Sequence, residues 1–72
     1  MPQLPAMKPR EVEKILLRNN FSLNRQTGSH RVYINGKNDA IVVVPFHSKD
    51  IPTGTLRSIV KQSKLPIGTF LK

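Results

Sequence analysis

Seventy-two residues with twelve Lys and Arg against four Asp and Glu carry a formal charge of +8 and a pI near 10.7. A chain this short holds one hydrophobic core, and such an excess of cations draws polyanions, either nucleic acid or an acidic protein. With no cysteine there is neither a disulfide nor a thiolate metal site, which suits a reducing compartment and makes the cytoplasm the expected location; no apolar run approaches the ~20 residues of a membrane span, so no membrane partner is expected.

Residues 1–6, with Pro2, Pro5 and no periodicity, read as a loose N-terminal arm, leaving a single domain over 7–72. From Pro9 the pattern turns helical to about Asn19: proline suits the first turn, Glu11 and Glu13 sit near the positive end of the dipole, and Val12, Ile15 and Leu16 form one apolar stripe. Leu17 falls outside that stripe, as a harmless exposed leucine or a contact for a partner. Asn20 follows the last turn, where a left-handed residue commonly ends a helix, and positive φ is expected there.

Phe21 to Gln26 alternates apolar and polar residues like a half-buried strand, and Thr27-Gly28 turns the chain. Ser29 to Ile34 is β-prone, Asn35 to Asp39 is dense in turn formers, and Ala40 to Val44 is the most strand-like segment. Pro45 ends the third strand because it lacks an N–H. A second helix starts near Thr53, with Leu56, Ile59 and Val60 inward and Arg57, Lys61 and Lys64 along a basic ridge; after Leu65-Pro66, Ile67, Phe70 and Leu71 can add one helical turn. The order α-β-β-β-α predicts an α+β fold, a three-stranded antiparallel sheet with two helices on one face and the other face wet.

The chemistry concentrates in Arg25-Gln26-Thr27-Gly28-Ser29-His30-Arg31. Imidazole takes and gives a proton near neutral pH, the glycine allows close approach, and the cations invite a phosphate, which makes His30 the leading catalytic candidate. A lone histidine also serves commonly as a structural or merely exposed residue. Pairing Ile34 with Ile41 puts His30 opposite Pro45, so His30, His47 and the approach to the second helix share one end of the sheet. His30 has the strand parity of Val32 and Ile34, which assigns it to the core side at the sheet's open end unless a bulge near Gly28 re-aims the ring. Free N–H groups around Thr53, Gly54 and Thr55 can hold an anion, although Thr53 can equally act as the helix cap. Candidate phosphate contacts are then Arg25, Gly28, Ser29, Arg31, Lys49, Thr53, Gly54, Thr55, Arg57, Lys61 and Lys64, with His47 as a second acid–base group or a nucleic-acid contact. Two histidines and four scattered acids give no metal-ligand spacing, and no cofactor is expected.

Four stretches, Met7 to Val12, Arg25 to His30, Val44 to His47 and Pro52 to Ile59, make nearly everything after Met7 resemble the HicA (YcfA-like) mRNA interferase toxins. The resemblance implies a double-stranded-RNA-binding-like fold, metal-independent endoribonuclease action on mRNA, a catalytic histidine at the position of His30, and neutralisation by a HicB-type antitoxin. Two other readings stand beside it: a non-catalytic RNA-binding module of the same fold, and a basic protein whose main surface meets a protein partner.

Overall fold

The computed structural model describes residues 4–47 and 49–71. Helix α1 (Pro9–Arg18) begins at a proline whose missing N–H leaves no bond unmade, and the Glu11 carboxylate accepts a hydrogen bond from the Lys8 N–H at 2.9 Å. Val12, Ile15 and Leu16 are buried, as their spacing predicts, and Leu17 is exposed. The helix stops one residue before the expected end. Asn19 donates its side-chain amide to the Ile15 carbonyl at 2.7 Å, and Asn20 takes the left-handed conformation at φ 71°.

Strands β1 (Phe21–Thr27), β2 (His30–Asn35) and β3 (Ile41–Pro45) form one antiparallel sheet in that order. The pairing of Ile34 with Ile41 and of His30 with Pro45 is the register inferred from the turn residues. Helix α2 (Thr53–Ser63) and a 3-10 turn (Ile67–Phe70) complete the chain, and Phe70 closes the core. Val12 and Leu16 from α1, Tyr33, Val42 and Val44 from the sheet, and Leu56 and Ile59 from α2 meet in one buried cluster on a single face of the sheet. Of the N-terminal arm, residues 1–3 lie outside the described residues, and Leu4 packs against that core.

Three expectations need correction. Strand β1 does not alternate: Leu23 is 45% exposed, and every residue after Phe21 in the strand faces solvent. Leu23 pairs with the buried Tyr33, but α2 packs against β3 at the other edge and leaves this outer strand uncovered after Phe21, and beyond Leu23 the register against β2 slips before Arg25. Secondly, it is Tyr33 and Asn35 that are buried in β2, so His30, Val32 and Ile34 occupy the open face. The polar set goes inward because α1 satisfies it: Glu13 accepts from the Tyr33 hydroxyl, and the Asn19 carbonyl accepts from the Asn35 amide at 3.0 Å. Thirdly, Thr53 is not the cap of α2. Pro52 holds that position and Thr53 is the first helical residue, with no side-chain capping bond.

Asn35 fixes the end of the sheet remote from His30. Its side-chain oxygen accepts from the N–H groups of Lys37 at 2.7 Å and Asn38 at 3.1 Å, shaping the β2–β3 turn from inside. Asn35→Ala removes these bonds together with the one to Asn19, and should cost about 2 kcal/mol. The check is urea unfolding, where the midpoint should fall with the slope unchanged.

Candidate active site

The hairpin between β1 and β2 is closed by the pair Thr27 and His30, leaving Gly28 and Ser29 as a two-residue loop. Gly28 has φ +57°, a conformation that tight hairpins need and that a side chain disfavours. His30 therefore begins β2 directly after a sharp turn. Its ring is exposed on the open face and has no hydrogen-bond partner among the described residues, so core packing does not account for it. Thr27 lies across from it on β1 and Pro45 on β3; Arg25, paired with Val32, shares the same face one step along.

A relay of hydrogen bonds on the opposite face of the sheet holds that turn. Gln26 donates its side-chain amide to the Gly28 carbonyl at 3.1 Å and accepts from Arg31 Nε at 3.1 Å. Arg31 Nη1 in turn donates to Glu13 Oε2 at 2.8 Å, and the Tyr33 hydroxyl donates to the same oxygen. The Arg31 guanidinium also stacks over the Phe46 ring, 4.0 Å from its centroid, while the Phe46 N–H donates to the Ser29 carbonyl. Helix α1, the glycine turn and the segment after β3 are thus clamped together through one half-buried ion pair. Arg31 is committed to this clamp and does not turn toward the open face with His30.

The clamp has a pH signature. Burial first, and then the hydrogen bond to the Glu13 carboxylate, push the Tyr33 hydroxyl pKa up from its ordinary 10. The folded chain keeps that proton where the unfolded chain has lost it. This contribution is therefore complete below pH 10 and is lost as pH rises toward the folded value. The melting temperature should fall above pH 10, and Tyr33→Phe should flatten that fall; equal slopes for the two proteins would contradict the arrangement.

The remaining candidates divide between the two ends of the sheet. The chain leaves β3 at Pro45, opposite His30, and enters α2 at Thr53, so the first turn of that helix, with Thr53, Gly54 and Thr55, belongs to the His30 end. Thr53 and Gly54 are exposed and Thr55 is half-buried, and the N–H groups of such a turn are donors unused by the helix itself. Lys49 is exposed in the connecting loop. Arg57 and Lys61 are exposed along α2, but Lys64 ends the helix at the far side, where its Nζ lies 3.5 Å from the Asn38 carbonyl. The ridge thus runs away from His30 rather than around it. His47 is exposed and lies with Phe46 beside Lys8 and Arg10.

Glu13, Gln26, Tyr33 and Phe46 were not legible as site residues. Glu13 passes for a dipole acid, yet it borders Val12 and Leu16 of the buried stripe, and that position is the signal of an inward carboxylate needing a cation. Among the described residues no three His, Cys, Asp or Glu side chains gather as metal ligands, and no helix is long and apolar enough to cross a membrane.

A three-stranded sheet with two helices on one face, a strongly basic composition and a histidine presented by a glycine turn define a small basic α+β domain. Residues 9–65 match the family model described as HicA toxin of bacterial toxin-antitoxin. The chain belongs to the HicA toxin family, and membership implies an antitoxin partner. No curated protein matches the chain.

Proposed function

We propose that this toxin is a metal-independent endoribonuclease acting on mRNA, with His30 as its one catalytic histidine. The observation that carries the reading is the exposed imidazole on a turn fixed from behind by the relay from Gln26 through Arg31 to Glu13. A histidine without a packing role, on a preorganised support and beside Arg25, suits proton transfer at a phosphate.

In the proposed reaction His30 takes the proton of a ribose 2′-hydroxyl, and the 2′ oxygen attacks the adjacent phosphorus. The bond from phosphorus to the 5′ oxygen breaks, leaving a 2′,3′-cyclic phosphate, and the departing 5′ oxygen takes a proton from water. Arg25 on the open face supplies positive charge for the pentacoordinate transition state, while Gly28 and Ser29 let the strand approach. Lys49, Thr53, Gly54, Thr55, Arg57 and Lys61 hold flanking phosphates, and Lys64 extends the track toward the far end. Arg31 acts through the turn it anchors. His47 contacts RNA rather than the reacting phosphate.

The expected setting is the cytoplasm, where a HicB-type antitoxin with acidic groups covers the His30 end and excludes RNA. Exposed Leu17 offers that partner a second contact. Incubation of the purified chain with mRNA in EDTA tests the activity. Cut products support the enzyme; RNA that is retarded but intact would leave a binding module.

A further inference from the structure

The start of α1 and the segment after β3 meet in a cleft of about 320 Å³, lined by Lys8, Pro9, Arg10, Phe46 and His47. Two backbone hydrogen bonds set its walls: Ile51 N–H to the Met7 carbonyl at 2.8 Å, and Phe46 N–H to the Ser29 carbonyl. The second bond joins the cleft to the residue before His30. Arg31 stacked on the Phe46 ring steadies the aromatic wall, and Asp50 lies 4.0 Å from Lys8 Nζ outside the lining set.

We propose that this cleft is a nucleotide subsite, seating one base and its phosphate from an RNA strand that passes the end of the sheet carrying His30, on the side of α1; the assignment of the strand as RNA rests on the ribonuclease reading above. The volume lies at the small end of ligand pockets, which suits one nucleotide rather than a folded motif. The lining brings together one aromatic ring, one imidazole and two cations, with no carboxylate. Charge alone would serve any polyanion. Flat π systems set among cations match a ligand that alternates bases with phosphates, since unpaired bases stack on such rings without regard to sequence. The cleft thereby supplies affinity and strand direction, while sequence preference at this position stays weak.

The test titrates AMP and ribose 5-phosphate separately into the full chain and follows the Phe46 and His47 ring signals and the Lys8 and Arg10 amides by NMR. AMP should move all four, with ribose 5-phosphate binding several-fold weaker. Phe46→Leu keeps an apolar side chain against the core and should weaken AMP and a single-stranded oligoribonucleotide on the order of tenfold. His47→Ala changes an exposed loop residue and should weaken both in a chain that melts normally. Equal binding of AMP and ribose 5-phosphate would overturn the subsite in favour of a charge patch. Displacement of AMP by an oligoglutamate peptide that binds more tightly would overturn it in favour of an acidic protein partner. RNA cleavage by the unaltered chain is measured alongside. Cleavage with no base-dependent binding removes the subsite and leaves the nuclease, whereas AMP seated without any cleavage removes the nuclease and leaves the subsite.

Discussion

Replacing His30 by alanine is expected to lower RNA cleavage by roughly 10²–10⁴-fold, the usual contribution of a general acid–base group. The same change should leave melting temperature and RNA affinity nearly as they were. The side chain is exposed, has no hydrogen-bond partner among the described residues and stands apart from the buried cluster. Surface substitutions of that kind ordinarily stay within about 0.5 kcal/mol. Cleavage rate, affinity and melting therefore separate the three roles a histidine can play. A chain that melts far lower yet cleaves normally would show a structural histidine, and one that loses affinity and cleavage together would show an RNA contact.

The second large effect is on salt. If Arg25, Lys49, Arg57 and Lys61 each neutralise one phosphate of a single strand, the logarithm of affinity should fall with that of salt at a slope of about −2.8, or roughly 50-fold between 50 and 200 mM. These four are exposed, so their charge is available to a strand. Changing Arg57 and Lys61 together to glutamine should flatten the slope by about 1.4. Lys64→Gln should matter less, since its ammonium sits at the opposite end of the sheet near the Asn38 carbonyl. A slope unaltered by the double change would make α2 a solvated face.

Much of the scaffold was legible because local rules decide it. Asn35 to Asp39 is dense in turn formers, and pairing Ile34 with Ile41 across that turn, one of the registers it allows, puts His30 opposite Pro45 without knowledge of either helix, as the structure has it. Which side of β2 faces inward was a different question. Alternation divides a strand into two sets, and the more apolar set, Val32 and Ile34, was the obvious choice for the core. The observed choice depends on Glu13 and Asn19, which accept hydrogen bonds from Tyr33 and Asn35 across the interior. A long-range partner of this kind leaves no trace in a strand's own pattern. The basic ridge shows a similar limit: helical spacing aligned Arg57, Lys61 and Lys64, but the point where α2 ends relative to the sheet decided which of them lie near His30. The clamp behind the glycine turn was hidden for the same reason, since Gln26, Arg31 and Glu13 come from three separate elements.

The position of His30 on the open face leaves its imidazole clear of the core, which is the condition the proposed catalysis requires. The most direct measurement is the chemical identity of the ends left on a defined oligoribonucleotide cut in EDTA, read by mass spectrometry. The account predicts a 2′,3′-cyclic phosphate on one fragment, a 5′-hydroxyl on the other, and no cut at a nucleotide whose 2′-hydroxyl is methylated. Fragments ending in 3′-hydroxyl and 5′-phosphate, or no cleavage at all, would contradict it.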